Sequence, residues 1–154
     1  MVPSPGISED HMLLVEAAKL GISIKSEVDL ALENYEGRVV GVTGTNGKST
    51  TVSLIGHLLN QLNVGATVAG NIGDPPSAQI AEGRVGEVLV LELSSYQLEQ
   101  SSPISTDVAV FTSLSEDHLA YHKSFERYFE AKKKLILATK SGGLALLCPE
   151  AFFR

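Results

Sequence analysis

The sequence predicts an α/β fold with a mostly parallel, buried sheet, and three observations carry that expectation. Short runs rich in β-branched residues alternate with longer segments of helical spacing, the pattern of βαβ units. Several of the short runs are apolar without period-two alternation, as strands covered on both faces require. A glycine-rich stretch joins one of them to an apolar-striped helix, the strand-loop-helix order of a phosphate site. With 154 residues, 44% of them apolar, the chain has the length of about one domain and the means to fill a core.

Taken in order, Ser4-Pro5-Gly6 reads as a turn, Leu13, Val15, Ala17 and Leu20 fall within a helix, and Ser26-Glu27-Val28-Asp29 fits a capping box opening a second, short helix. Strands are predicted at Arg38 to Val42, Val64 to Ala69, Glu87 to Leu93, Asp107 to Thr112 and Leu144 to Cys148. Between the first two, Leu54, Ile55, Leu58, Leu59 and Leu62 mark one face of a helix beginning near Ser49, read as core. After Lys123, Phe125, Tyr128, Phe129 and Ile136 line one side of a further helix, and Lys132 falls on the same stripe. Residues 1–36 lack a strand-turn-helix site, so a boundary is placed near Gly37: 1–36 as the tail of a preceding domain, 37–154 as a nucleotide domain that breaks off early. Pro149 to Arg154 offer no helix to cover the last strand.

Composition narrows the function. Eighteen acids against twelve bases give a net charge of -6, without the basic excess of a nucleic-acid binder. The single Cys148 makes no internal disulfide, and the apolar runs are too short to span a bilayer. Met1-Val2-Pro3-Ser4-Pro5 lacks the basic start and apolar stretch of a secretory signal, so the cytoplasm is the default location.

Gly44-Thr45-Asn46-Gly47-Lys48-Ser49-Thr50 is the phosphate-loop candidate: amides and a helix N-terminus face the anion, Lys48 reaches the terminal phosphates, and the Ser49 hydroxyl ligates magnesium. Val42 stands where the usual pattern has its first glycine, leaving a shorter Gly-x-x-Gly-Lys-Ser form; the bland alternative is a glycine-rich turn with a surface lysine. Glu92 interrupts an apolar run near the carboxyl end of a buried strand, where a lone carboxylate costs several kcal/mol, roughly, unless it meets a cation or strong donor. Strand carboxyl ends are where open α/β sheets bind ligands, and magnesium is preferred there over a structural salt bridge because the phosphate-loop candidate lies on a neighbouring strand. Asp117-His118 occupies another carboxyl-end loop. His118 and His122 are four apart, but Leu119 stands where a zinc protease motif needs Glu. His57 and His11 are assigned no role. A Lys132 held inside an apolar stripe would have a depressed pKa and a nucleophilic amine, whereas one at the edge would snorkel.

Assembled, these residues resemble the Mur ligases of bacterial peptidoglycan synthesis. The match is carried by Gly41 through Thr51, Gly70-Asn71-Ile72-Gly73, Leu91-Glu92-Leu93-Ser94-Ser95-Tyr96-Gln97-Leu98-Glu99, Asp117-His118 and Tyr128-Phe129-Glu130-Ala131-Lys132. The short phosphate-loop spacing is that family's form, while folylpolyglutamate synthases typically carry an extra glycine between lysine and hydroxyl. The Ser94 to Leu98 run looks like the D-glutamate-adding member. The resemblance implies an ATP-dependent ligase joining D-glutamate to UDP-N-acetylmuramoyl-L-alanine through an acyl phosphate. It further implies two magnesium ions, one on Ser49 and Glu92 and one on His118, with Lys132 carbamylated in support. Lys48, Glu92, His118 and Lys132 would be catalytic, and Asn71, Ser94 and Gln97 would lie near the nucleotide sugar. It also implies a three-domain parent, with Ser4-Pro5-Gly6-Ile7 ending a UDP-binding domain, so that this chain reads as a fragment expected not to complete the reaction alone. A stand-alone nucleotide-binding module or NTPase is the competing reading.

Overall fold

In the computed structural model, which describes residues 1–8 and 10–152, two short helices precede an alternating β/α run. Helix α1 (Met12–Lys19) starts at His11, whose Nδ1 accepts from the Leu13 amide at 3.3 Å. Helix α2 (Glu27–Leu32) opens on the capping box that its sequence spells: Ser26 and Asp29 each accept the other's backbone amide at 3.0 Å. Val28 of α2 is buried in one cluster with Leu89, Leu91 and Leu98, so this segment packs on the sheet.

The run continues β1 (Arg38–Thr43), α3 (Lys48–Gln61), β2 (Ala66–Gly70), α4 (Pro76–Ala81), β3 (Val88–Glu92), α5 (Ser95–Gln100), β4 (Thr106–Phe111), α6 (Leu119–His122), α7 (Phe125–Leu137), β5 (Thr139–Leu147) and α8 (Pro149–Phe152). The five strands form one sheet in the order β2-β3-β1-β4-β5, every pair parallel. Glu92 lies level with Val42 on one side and Gly70 on the other, and Thr43 with Phe111. The carboxyl ends of β3, β1 and β4 are thus adjacent, and the loops leaving them share one edge of the sheet.

Burial on both faces holds for the central strands: β3 is buried throughout and β1 from Val39 on. It fails for β5, which lies at the edge and is exposed from Lys140 to Leu147. That strand also begins earlier than its apolar run suggests. Thr139 pairs with Thr106, the register then shifts, and Leu144 pairs with Val108. Polar and glycine residues 140–143 carry no apolar signal, so the sequence hides them. A one-turn α8 forms where no helix was expected and buries Ala151 in the cluster of Phe111 and Phe129; Phe153 and Arg154 lie outside the described residues.

Helix α3 departs from expectation in its orientation. Val52 and Gly56 are buried and Ile55 and Leu59 half-buried, whereas Leu54, Leu58 and Leu62 are 55%, 52% and 73% exposed. The helix approaches the sheet through its smallest residue: a Cβ at Gly56 would collide with Val68. Close approach there turns the leucine row outward. Helix α7 buries Tyr128, Phe129 and Lys132 of its predicted stripe, leaves Phe125 and Ile136 half-buried, and buries Leu135, which the stripe did not include. No helix among the described residues is long and apolar enough to cross a membrane.

Leu135 is fully buried against Gly41, and Leu135→Ala is expected to lower the unfolding free energy by about 2–5 kcal/mol. Leu54→Ala and Leu58→Ala should each stay within about 0.5 kcal/mol. Urea unfolding followed by circular dichroism separates the two classes, and equal costs would put the leucine row back in the core.

Candidate active site

The loop between β1 and α3 is shaped by two glycines and held by a neighbouring loop. Gly44 and Gly47 have φ of +147° and +83°, and a Cβ at Gly44 would strike Thr112 and the Ser113 amide. The Thr45 amide donates to Ser113 O at 2.8 Å and the Asn46 amide to Ser113 Oγ at 2.8 Å, while Thr112 Oγ1 donates to Asn46 O at 2.6 Å. The Thr45 hydroxyl joins Ser115 O at 3.1 Å and the Tyr128 hydroxyl at 3.0 Å. Gly47 is the N-cap of α3 and brings no side-chain cap. Since the first helical bond runs from Thr51 N to Gly47 O, the amides of Lys48, Ser49 and Thr50 have no intrahelical acceptor and form, with the helix dipole, an anion-binding end. Ser49 and Thr50 are exposed.

Two lysines converge on the carbonyl of Gly44. Lys48 Nζ donates to it at 3.0 Å and to Thr45 O at 2.9 Å; Lys132 Nζ, from α7, donates to the same oxygen at 2.8 Å. Lys132 is 2% exposed, lies 4.8 Å from the Tyr128 ring centroid, and reaches Thr43 Oγ1 at 3.4 Å. Burial, reinforced by the Lys48 charge, brings its pKa down to about 7, against the opposing pull of Asp117 and Glu92. Of the two alternatives the sequence leaves open, the structure has the lysine held in, with its pKa lowered to about 7.

Glu92 is 2% exposed at the end of β3. Asn71 Nδ2 donates to its Oε1 at 2.9 Å, while Oε2 is buried without a hydrogen-bond partner among the described residues. An orphaned carboxylate oxygen is a cation-ligating atom waiting for charge. Asn71 thereby orients Glu92, which its motif alone did not indicate. No group of three or more His, Cys, Asp or Glu among the described residues could hold a metal ion by itself. Ser94 and Gln97 cap α5: Ser94 N and Oγ donate to Gln97 Oε1 at 3.0 and 2.9 Å, and Gln97 N returns a bond to Ser94 Oγ at 3.3 Å. The Ser-x-x-Gln spacing of residues 94–97 is the local sequence signal of this capping box.

His118 is 51° in φ, left-handed, at the N-cap of the four-residue α6, and Lys123 at the other end is left-handed too. Its amide donates to Asp117 Oδ1 at 2.8 Å, and its imidazole is exposed 5.1 Å from the Tyr96 ring. His122 does not pair with it: its Nε2 lies 2.9 Å from Ser95 Oγ, inside the protein. Thr112, Ser113, Ser115 and the Tyr128 hydroxyl, which shape the phosphate loop, were not singled out from sequence, because nothing local links residue 45 to residues 113–128.

Residues 42–150 match the Mur ligase middle domain family. A UDP-N-acetylmuramoylalanine--D-glutamate ligase of Leptospira interrogans is 47% identical over 135 residues, 88% of this chain and 29% of that protein. One of the same name from Solibacter usitatus is 39% identical over 150 residues, 97% of this chain and 34% of that protein. The chain thus spans about a third of the length of these relatives. Among solved structures, a MurF ligase from Thermotoga maritima in complex with ADP superposes with a TM-score of 0.60 at 26% identity, covering 88% of this chain and 39% of that one.

Lys132 gives the site a pH signature. Between about 7 and the ordinary lysine value of 10.5, unfolding takes up a proton, so stability rises with pH across that window and the gain is absent below it. Lys132→Met is expected to flatten this rise, as read by urea midpoints from pH 6 to 9. An unchanged slope would show that the amine is not buried as described.

Proposed function

The chain belongs to the Mur ligase family, and on that premise we propose that it supplies the ATP-binding part of a ligase that joins D-glutamate to UDP-N-acetylmuramoyl-L-alanine. The carrying observation is the pair of lysines on one carbonyl beside an uncapped helix end. Two lysine side chains donating to one acceptor, beneath free amides, suit a polyphosphate, which would draw Lys48 off the loop carbonyls and onto its own oxygens. The names of the curated relatives and the ADP held by the T. maritima protein support the substrates.

In this reading the amides of Gly47 to Thr50 and the Lys48 ammonium hold the β- and γ-phosphates. Ser49 and the orphaned Glu92 oxygen would hold one magnesium and His118 a second, with Thr45 and Asn46 shaping the loop from Gly44 onward. Magnesium bound there would supply neutralisation of phosphate charge. The substrate carboxylate oxygen attacks the γ-phosphorus and ADP leaves. The D-glutamate amine then attacks the acyl carbon, losing a proton, and inorganic phosphate leaves as the amide forms. A neutral Lys132 amine can form an N–C bond to carbon dioxide with loss of one amine proton to solvent, and the resulting carbamate places an anion beside Lys48. Asn71 steadies Glu92, while Ser94 and Gln97 shape the α5 end that faces the nucleotide sugar. Residues 1–36 are read as the tail of a uridine-binding domain, and the setting as cytoplasmic.

Calorimetric titration with a non-hydrolysable ATP analogue and magnesium tests the site, with Lys48→Ala as the control. The variant is expected to bind at least about tenfold more weakly, the worth of a charge-assisted hydrogen bond. Equal affinity would overturn the assignment of the loop. With ¹³C-bicarbonate at pH 8, a carbamate resonance should appear in the wild type and be missing in Lys132→Met; a spectrum without it in both would remove the carbamate from the reading.

A further inference from the structure

His122 is used neither by the loop nor by the phosphate chemistry, yet it is 1% exposed and is the buried residue of α6. A four-residue helix flanked by two left-handed residues does not hold itself in place and needs an anchor from outside. Here the anchor is on α5: His122 Nε2 meets the buried Ser95 Oγ at 2.9 Å, and its Nδ1 faces Glu99 Oε2 at 3.6 Å, both of these latter atoms lacking a hydrogen-bond partner among the described residues. The imidazole is boxed by the rings of Tyr96, Tyr121 and Tyr128 at centroid distances of 5.6, 4.9 and 5.4 Å. Its own amide donates to His118 O at 3.1 Å.

The two helices tied in this way carry different parts of the site. Ser95 follows Ser94 and precedes Gln97 on α5, the substrate side of the proposed function; His118 is the N-cap of α6, on the phosphate side. Tyr96 touches both histidines, 5.1 Å from His118 and 5.6 Å from His122. We propose that His122 is a positioning residue whose hydrogen bond to Ser95, opposite Glu99, fixes where the His118 imidazole stands relative to Ser94 and Gln97. The site's role for His118 rests on the function proposed above; the placement of its ring does not. Glu99 lies on the far side of the imidazole, 3.6 Å from Nδ1 and beyond hydrogen-bond reach, so the bond between His122 Nε2 and the Ser95 hydroxyl is the polar tie between the two helices.

Ser95→Ala removes the bond with little change of volume, and His122→Gln keeps a polar group near the Nε2 position. Two readouts are taken. The first is the cross-ring proton contact between Tyr96 and His118 in the nucleotide-free chain by NMR. The second is the factor by which magnesium raises the affinity of a non-hydrolysable ATP analogue. Ser95→Ala is expected to lose the ring contact and to cut the magnesium factor about fivefold, the scale of one hydrogen bond, while affinity in EDTA stays unchanged. His122→Gln should retain both signals within about twofold of wild type, a rescue that a merely space-filling histidine would not give. Should Ser95→Ala fail to fold, His122→Phe fills the ring's volume without the bond and is expected to lose the same two signals. A Tyr96–His118 contact that persists in whichever of these variants folds overturns the proposal. If wild type shows no magnesium factor at all, the metal role of His118 falls, and the ring contact still decides whether His122 positions it.

Discussion

A single carbonyl oxygen, that of Gly44, accepts from two lysines at 2.8 and 3.0 Å, and the architecture around the site is arranged about that contact. One of the lysines, Lys48, opens α3 and the other, Lys132, comes from α7, 84 residues later. Bringing them together requires α7 to lie close over β1, which it does where Leu135 packs on Gly41. It also requires the loop to be rigid, which the bonds from Thr112, Ser113 and Tyr128 provide. Burial, with the neighbouring Lys48 charge second, lowers the pKa of Lys132, the more buried of the two. An anion brought to this carbonyl would meet both lysine side chains.

The acidic side of the site is built by the opposite imbalance. Glu92 is buried with one oxygen satisfied by Asn71 and one by nothing described, so negative charge is held ready a short distance from crowded positive charge. The parallel register sets this proximity, since it places Glu92 level with Val42 and Gly70 and sends the loops after β3, β1 and β4 out of the same edge. Open α/β sheets bind ligands at that edge because the strands end there with helix N-termini directed at it.

The secondary-structure order, the Ser26 and Asp29 capping box, the glycine-rich loop into α3 and the buried Glu92 were legible because each signal is carried by residues near one another in the chain. Lys132 was legible for the same reason: spacings of three and four put it beside Tyr128 and Phe129 on one helix face. The leucine row of α3 misled because periodicity reports that a helix has an apolar face without saying how it rolls against its neighbours. A missing side chain at Gly56 decided that roll. Strand β5 misled because burial was inferred from apolarity, while an edge position leaves Leu144 and Leu146 half exposed.

The sequence by itself determined a parallel α/β chain with a glycine-rich strand-to-helix loop, a carboxylate at a strand end and a lysine on an apolar stripe, since these depend on local spacing and residue chemistry. Tertiary structure alone decided that Lys48 and Lys132 share one carbonyl, that Asn71 steadies Glu92, and that His122 reaches Ser95 rather than His118. Those contacts join segments far apart along the chain. Whether they form is set by helix packing angles and sheet register to within a few tenths of an ångström, which no reading of residue spacing contains.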